Sequence, residues 1–533
     1  MSLSPRIRSG SLYSFWFFLK VASALVGLFV SGLLTEARAQ SFREVRWQAT
    51  LGGSQNDIAS SVAAMPDGGV AVAGVSQSAD GDVRQNLGSN DLWVVRLDTT
   101  GRTRWSRTLG GSYNESIGGL AATPDGGLVV VGSTASEDGD IRNNLGNDDY
   151  WVVKLDGEGQ ISWTRTFGGK ESEGASAVAV SARGEIFVAG SSASPDRPGG
   201  ESKGDFDFWI LKLSPSGQLL WSKGLGGSSN DGAKALALTP DGGVVAAGFS
   251  FSTDLQVENN HGGMDFWVAK LTGDGALTWT RTLGGSGPDM ATGVAALTDG
   301  SVVVTGVTAS GDGDVSGNHG SDDYWVVRLS PAGKMIWQRP LGSMRDDIAN
   351  SITALPGDRI LISGYTATGS NSPGKDAAAS YWVNEISPDG YLMGAQTWIQ
   401  RSLYSENALV ALANGTICLA GSVRTSTATE SGDLNYWVGV LPWSSFERPL
   451  WQVQVYPSPV VNQNVSVLVQ MGKTDACQVQ LLDVQGRRLL AQALTGAAGN
   501  FTGSIPMQDK PPGTYFLQIS SDGQSVVKKI VKQ

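Results

Sequence analysis

Three loops of the chain place two aspartates on either side of a glycine. The pairs are Asp80 and Asp82, Asp138 and Asp140, and Asp312 and Asp314. Alternating carboxylates around a glycine can supply the oxygen ligands that Ca²⁺ prefers, and an asparagine follows each pair after four residues. We expect no cofactor, and calcium at these loops is the one ligand that the pattern allows. The alternative is that these side chains accept hydrogen bonds from their own loops in Asx turns.

Residue patterns typical of catalysis are scarce. The chain has two histidines, His261 and His319, and each stands before a glycine at the same place in its loop. No Gly-x-Ser-x-Gly elbow, paired-cysteine metal motif or phosphate-binding loop is present in the sequence. Cys418 and Cys477 fall in different predicted domains, which argues against a structural disulfide. We therefore expect a protein that is not an enzyme.

A further acidic residue recurs before a tryptophan. It stands at Asp91, Asp149, Asp207, Asp265 and Asp323, and is replaced by Ser380 and Asn435. Recurrence at five positions predicts a structural role, such as capping the start of a strand or pairing with the basic residue five positions later. A ligand contact is the alternative.

The elements that position these residues repeat as well. One tryptophan series runs through Trp93, Trp151, Trp209, Trp267, Trp325, Trp382 and Trp437, with separations of 58, 58, 58, 58, 57 and 55 residues. A second series follows in step at Trp47, Trp105, Trp163, Trp221, Trp279, Trp337 and Trp398. A period of this length suits a unit of several strands, as in a propeller blade.

Each repeat reads as four strands. Asp67-Gly68-Gly69 predicts a hairpin between the first two, and the third, Leu92-Trp93-Val94-Val95, is apolar on both faces, as in a sheet between two other sheets. The first three strands occur seven times, but only six fourth strands follow within the array. The strand around Trp47 supplies the seventh, which predicts a closed seven-bladed β-propeller without an exposed edge. An open superhelix is the alternative.

The phrase from Leu97-Asp98 through Trp105 to Leu109-Gly110-Gly111 resembles that of the exported β-propeller repeat proteins of Bacteroidota. More distantly, it is similar to quinoprotein-type and outer-membrane assembly-factor propellers. The resemblance covers residues 44–442 and implies the fold but not an activity. The sixth and seventh repeats depart from it, because Glu385 and Val440 stand where the other repeats have a basic residue.

The tryptophan repeat stops after Pro442, and several separated motifs follow. They contain Tyr456, Pro457, Pro459, Gly486, Gly513, Tyr515, Lys528 and Lys529. Their order resembles that of type IX secretion sorting domains of type A. The resemblance implies a small immunoglobulin-like β-sandwich over residues 452–533 and the type IX secretion machinery as a partner. The short strands with Gly and Pro turns also favour a sandwich.

The N-terminal residues 1–39 read as a secretory signal, with an apolar stretch after Lys20 and a small-residue cleavage pattern at Ala37-Arg38-Ala39. A retained membrane anchor is the alternative, although the apolar run is shorter than the ~20 residues a spanning helix needs. The formal charge of −11 disfavours nucleic acid as a partner. No other segment is long and apolar enough to span a membrane.

Together these features predict a secreted or outer-membrane surface protein with an all-β architecture, a propeller followed by a sandwich. We expect the propeller to bind an unknown protein or glycan without catalysis. Its irregular loops, 194–205, 252–261, 366–380 and 424–435, are the candidates for specificity. The alternatives are a propeller enzyme, either a quinone-dependent dehydrogenase or a polysaccharide-degrading enzyme, and a structural surface or adhesion component.

Overall fold

A computed structural model describes residues 45–200, 203–368, 378–399, 403–424, 433–442, 451–456, 464–471, 477–485, 487–497, 500–521 and 524–532. All regular elements in these ranges are β-strands. The predicted signal segment, residues 1–39, lies outside them. So do residues 443–450, next to the predicted domain boundaries.

Seven four-stranded antiparallel sheets make up the repeat region. The first contains β2 (Asp57–Ala64), β3 (Val70–Ser76), β4 (Asp91–Leu97) and β5 (Thr103–Leu109). The second contains β6 (Glu115–Ala122), β7 (Leu128–Thr134), β8 (Asp149–Leu155) and β9 (Ile161–Phe167). The third contains β10 (Glu173–Val180), β11 (Ile186–Ser192), β12 (Asp207–Leu213) and β13 (Leu219–Leu225). The fourth contains β14 (Asp231–Leu238), β15 (Val244–Ser250), β16 (Asp265–Leu271) and β17 (Leu277–Leu283).

The remaining sheets follow the same plan. The fifth contains β18 (Asp289–Ala296), β19 (Val302–Thr308), β20 (Asp323–Leu329) and β21 (Met335–Leu341). The sixth contains β22 (Asp347–Leu355), β23 (Arg359–Thr368), β24 (Ala378–Ile386) and β25 (Leu392–Ile399). The seventh contains β26 (Leu403–Ala411), β27 (Thr416–Arg424), β28 (Leu434–Pro442) and, from the other end of the chain, β1 (Trp47–Leu51).

The ring of sheets is closed. β1 pairs with β28, with Trp47 opposite Val440 and Leu51 opposite Tyr436. The first strand of each sheet contacts the first strand of the next, and β2 contacts β26 of the seventh sheet. The predicted closure of the propeller by the N-terminal strand is therefore confirmed, and the open superhelix is wrong. We call the sheets blades 1 to 7 and their strands, in the order given, A to D.

Aromatic side chains hold neighbouring blades together. The third strands of blades 1 and 2, β4 and β8, are buried along their whole length. Tyr150 of blade 2 packs on Trp209 of blade 3 with ring centroids 4.7 Å apart, and its hydroxyl donates to the Trp209 carbonyl at 3.0 Å. Tyr436 does the same to Trp93 across the closing interface. The first tryptophan series is thus the core between blades.

The second tryptophan series lies nearer the rim. Trp105 Nε1 donates to the carbonyl of Gly157 in the next blade at 2.9 Å.

Within each blade the B strand approaches the A strand closely. A Cβ on Gly74 would meet the Ile58 carbonyl and the Tyr436 hydroxyl, which explains why a glycine recurs there.

The C-terminal region is a sandwich of two four-stranded sheets. One contains β29 (Trp451–Tyr456), β30 (Val465–Met471), β33 (Thr495–Ala497) and β34 (Asn500–Ile505). The other contains β31 (Gln478–Leu482), β32 (Arg488–Ala493), β35 (Gly513–Ser521) and β36 (Gln524–Lys532). Val467, Val479, Phe501 and Leu517 belong to its core, as the predicted sandwich requires.

Candidate functional site

The two ends of each blade differ. Because successive strands run antiparallel, the B–C and D–A loops meet at one end, which we call the loop end, and the A–B and C–D turns meet at the other, the turn end. The B–C loops are longer than the turns and contain the predicted calcium ligands. The loop end is therefore the candidate functional site.

The aspartates around each glycine bind the backbone of the preceding D–A loop. Asp80 Oδ1 accepts a hydrogen bond from Ser54 N at 2.7 Å, and Asp82 Oδ2 accepts one from Gly52 N at 3.1 Å. This contact with the loop amide lowers the pKa of Asp80. Each carboxylate thus fastens one loop to its neighbour.

The other two pairs repeat this arrangement. Asp138 and Asp312 accept from Ser112 and Ser286, both at 2.7 Å. Asp140 and Asp314 accept from Gly110 and Gly284, both at 3.4 Å. Burial raises the pKa of Asp140.

These contacts bear on the calcium prediction. Each pair uses two of its four carboxylate oxygens on backbone amides of another loop. Among the residues that the structure describes, no group of three or more His, Cys, Asp or Glu side chains could hold a metal ion. The amide contacts are a structural use of the aspartates, related to the predicted Asx turns but made between loops. Calcium binding stays a prediction.

The repeated acid of the C strand is fully buried and also holds a loop. Asp149 Oδ2 accepts from Leu145 N, four residues earlier, at 2.6 Å, and burial raises the pKa of Asp149 to about 6. The predicted pairing with the basic residue five positions later is wrong, because that residue points to the turn end. There Lys154 Nζ lies 3.0 Å from Asp125 Oδ2 of the A–B turn.

A second ring of buried acidic side chains at the loop end was not predicted from the sequence. It consists of Asp57, Glu115, Glu173, Asp231, Asp289 and Asp347, all at the start of an A strand and at most 2% exposed. Glu115 Oε1 accepts from Thr134 Oγ1 at 2.8 Å and Ser136 Oγ at 2.7 Å. The 58-residue spacing of these acids was the signal that could have found them.

The large apolar side chains exposed in the loops and turns of the described propeller all lie at the loop end. They are Leu87, Leu145, Phe206, Phe251 and Leu255 in B–C loops, and Tyr113 and Met344 in D–A loops. Met344 is 85% exposed and Tyr113 is 62% exposed. The other large exposed apolar residues of the described propeller, Leu220, Leu277 and Ile336, lie in D strands at the rim.

The irregular loops occupy this end too. Loop 194–205 places the buried guanidinium of Arg197 5.7 Å from the Trp209 ring centroid, and its Nη1 donates to the Ser194 and Gly200 carbonyls. In the loop from Ser252 to His261, His261 Nδ1 lies 3.1 Å from Asp265 Oδ2. Most of loops 366–380 and 424–435 lies outside the described residues.

The predicted sorting-motif residues are distributed along the sandwich. Tyr456 ends β29 and Gly513 begins β35. Tyr515 is buried, and its hydroxyl donates to the Pro511 carbonyl at 2.7 Å. Lys528 and Lys529 are exposed on β36, while Pro457, Pro459 and Gly486 lie outside the described residues.

Sequence reasoning missed Lys532 at the end of the same strand. Its side chain is buried, and Nζ donates to the carbonyls of Met507 at 2.6 Å and Gln508 at 3.0 Å.

Comparison with known families identifies the C-terminal region. Residues 454–533 match the model of the "Secretion system C-terminal sorting domain" family. The chain therefore ends in a type IX sorting domain, which directs the protein through the type IX machinery to the cell surface or the medium. Within the described residues, no helix has the length and apolar character needed to cross a membrane.

Comparisons of the whole chain are more distant. "Regulatory protein FlaEY" of Caulobacter vibrioides is 24% identical over 264 residues, which are 44% of this chain and 27% of that protein. This chain thus spans about a quarter of the length of that relative.

Similar solved structures include a puromycin hydrolase, with 15% identity and a TM-score of 0.42 over 82% of this chain and 63% of that one. An α-L-arabinofuranosidase from Fusarium graminearum has 8% identity and a TM-score of 0.37 over 75% and 99%. Likenesses this distant carry no inference about activity.

Proposed function

We propose that this exported chain, which ends in a type IX sorting domain, is a non-catalytic propeller that binds a protein or glycan at its loop end. The observation that supports the proposal is the one-sided distribution of exposed apolar side chains, with seven at the loop end and none in the turns of the described propeller. Scattered apolar residues need no explanation, but their concentration at one end is typical of an interaction surface.

The residues around these side chains suit recognition. Tyr113 and Phe251 offer rings that can stack on sugar faces or enter apolar pockets of a protein. Asp80, Asp138 and Asp312 lie at the same end of their blades, each with a carboxylate oxygen fixed by a loop amide. Rigid polar groups around apolar anchors provide orientation at little entropic cost.

The engagement of the ionisable groups supports the non-catalytic part of the proposal. The C-strand and A-strand acids at the loop end are buried and hold loop amides. These groups are used to build the propeller, whereas a general acid or base must reach its substrate.

The test compares two triple variants of the full chain. Tyr113→Ser, Leu255→Ser and Met344→Ser alter the loop end, while Leu220→Ser, Leu277→Ser and Ile336→Ser are the matched control at the rim. Binding to solubilised surface proteins and to purified surface polysaccharides of the producing bacterium is measured by surface plasmon resonance. We expect a loss of at least tenfold in affinity from the first variant only, because anchors of this kind contribute ~1–2 kcal/mol each.

Equal binding by both variants would contradict the loop end as the binding surface. Release of sugars from the polysaccharides, or absorbance of a bound quinone in the purified protein, would instead establish the enzyme alternative. Cell attachment by the protein with no saturable binding in solution would establish a structural adhesion role.

We also propose that the signal peptide is removed, so that the exported chain begins near Gln40, and that the propeller domain covers residues 44–442. Mass spectrometry of the protein from the culture medium and the cell envelope locates both ends. A chain that keeps residues 1–39 would contradict cleavage of the signal.

A further inference from the structure

Two buried carboxyl groups face each other where one regular blade meets the next. The pairs join the C strand of one blade to the A strand of the following blade. They are Asp91 with Glu115, Asp149 with Glu173, Asp207 with Asp231, Asp265 with Asp289, and Asp323 with Asp347. A Cβ added to the glycine between them, Gly110 in the first pair, would contact an oxygen of both side chains.

The Asp91 and Glu115 pair has a defined set of partners. Asp91 Oδ2 accepts from Leu87 N. Glu115 Oε2 accepts from Gly111 N at 3.1 Å, and its Oε1 accepts from two hydroxyls of blade 2. Asp91 Oδ1 is buried and has no hydrogen-bond partner in the described part of the chain. The unused oxygen lies beside the second carboxyl group.

The charges around this pair do not neutralise it. From the B–C loop of blade 2, Asp140 acts on Asp91 as a further negative charge. The basic group associated with that loop is Arg107 of β5, whose Nη2 lies 3.9 Å from Asp140 Oδ1. Among the described residues, no basic side chain forms an ion pair with Asp91 or Glu115.

The other interfaces differ in this respect. Arg197 interacts electrostatically with Asp207 and Glu173, and the imidazoles of His261 and His319 contact Asp265 and Asp323. The first interface is therefore the one where two buried like charges would stand without a cation.

We propose that Asp91 and Glu115 share one proton in the folded protein, as a carboxyl–carboxylate hydrogen bond that joins blades 1 and 2. One proton removes the repulsion between two buried anions. It also gives Asp91 Oδ1 a hydrogen-bond partner, which a buried polar atom needs.

The closing interface contains a natural counterpart. Asn435 stands at the position of Asp91 and faces Asp57, the equivalent of Glu115. With its amide nitrogen turned toward blade 1, Asn435 donates to Asp57 Oδ2 at 3.2 Å. A neutral donor against a carboxylate is the arrangement that a protonated Asp91 would make.

The proton makes the contact dependent on pH. Burial raises the pKa of both Asp91 and Glu115 above their ordinary values. The folded state therefore binds a proton that the unfolded chain releases, so the stabilisation is present in acid and is lost as the pH rises through the folded pKa.

The experiment uses the full chain and the variants Asp91→Asn, Asn435→Asp and Asp98→Asn. Calorimetry in buffers of different ionisation enthalpy gives the number of protons released on unfolding between about pH 5 and about pH 8. We expect Asp91→Asn to release about one proton fewer than the parent and to lose less melting temperature as the pH rises. The exposed turn variant Asp98→Asn is the control and leaves both quantities unchanged.

Asn435→Asp creates a sixth carboxyl pair, so we expect about one additional proton and a steeper fall in melting temperature with pH. This variant keeps the proposal testable if Asp91→Asn does not fold. An unchanged proton count in both variants would overturn the proposal. So would a rise in melting temperature on adding Ca²⁺ or Mg²⁺ that Asp91→Asn abolishes, since the pair would then hold a metal ion.

Discussion

Aspartate side chains have opposite environments at the two ends of a blade. At the turn end, Asp241 is largely exposed and lies 2.6 Å from the buried ammonium group of Lys270, and its contacts with Lys270, Thr239 and the Gly243 amide outweigh burial and lower its pKa to about 2. At the loop end, Asp149 is buried, and burial outweighs its contact with the Leu145 amide and raises its pKa to about 6. A repeat can thus fix a charge at one end of its sheets and bury ionisable groups at the other.

The two ends also differ in how much the length and sequence of their connecting segments vary. The turns at the turn end are short, and in most blades an ion pair joins the A–B turn to the C strand. The loop end carries the longer and more irregular segments on a rigid layer of amide-bound carboxyl groups. A rigid base under variable loops is the usual way in which a scaffold supports binding.

The largest expected effect comes from crowding the loop end. Gly110→Ala places a methyl group against both Asp91 and Glu115. We expect a loss of roughly 2–3 kcal/mol in the free energy of unfolding, the scale of overpacking in a rigid core. Urea denaturation monitored by tryptophan fluorescence measures it.

The matched control is Gly174→Ala in β10, where a Cβ would meet no atom within 4 Å. Similar losses for the two variants would show that the carboxyl layer is not rigid.

The second prediction concerns the turn end. Asp241→Asn leaves the Lys270 ammonium group, which is 6% exposed, without its anion. We expect a loss of about 1–2 kcal/mol, less than for a fully buried pair because Asp241 is open to solvent. Because its folded pKa is lowered to about 2, the contribution of Asp241 is present above its ordinary pKa and disappears as the pH falls toward about 2.

Thermal unfolding of the parent and of Asp241→Asn between about pH 2 and about pH 7 tests this sign. The two curves are expected to converge in acid. A constant difference across the range would show that the ion pair does not account for the effect.

The third prediction asks whether the loop end accepts a cation. If the aspartate pairs bind calcium, protein stripped with a chelator gains a few degrees in melting temperature when millimolar Ca²⁺ is added, because a ligand that binds the folded state stabilises it. The variant Asp80→Asn, Asp138→Asn and Asp312→Asn serves as the comparison. No change in the parent, or an equal gain in the variant, contradicts the calcium prediction.

The smallest effect is expected where the sixth blade reverses the ion pair of the turn end. There Arg359 Nη1 lies 2.7 Å from Glu385 Oε1, so the base is at the turn and the acid is in the C strand. Exchanging the two as Arg359→Asp and Glu385→Lys restores the order of the other blades. We expect the double variant to unfold within about 0.5 kcal/mol of the parent, and each single variant to lose more.

Equilibrium denaturation of the three variants measures the coupling between the two positions. Additive losses would show that the reversed pair makes no direct interaction.

The sequence was most informative about what repeats. The spacing of Trp93 and its equivalents predicted blades, and the stray strand at Trp47 predicted the closure, because a regular array leaves one strand without a partner. The sorting domain was predicted from different evidence, because the motifs from Tyr456 to Lys529 stand in the order that such domains share.

The site was harder to predict, because it depends on which residues of different blades meet. Asp91 and Glu115 are 24 residues apart in the sequence, and only the packing of one blade on the next brings them together. The sequence predicted that Lys154 pairs with Asp149, whereas it pairs with Asp125. The sequence does not show toward which end of the strand a long side chain extends. The exposure of Tyr113 and Met344 likewise depends on the path of the loops.

The most direct test of the contrast between the two ends is the melting temperature of the full chain measured from about pH 3 to about pH 8. Ionisation of the turn-end carboxylates predicts that the melting temperature increases as the pH rises from about 3. Loss of the loop-end protons predicts a decline as the pH passes about 6, the pKa of Asp149. A curve with a maximum between these limits agrees with the account, and a melting temperature that keeps rising to pH 8 contradicts it.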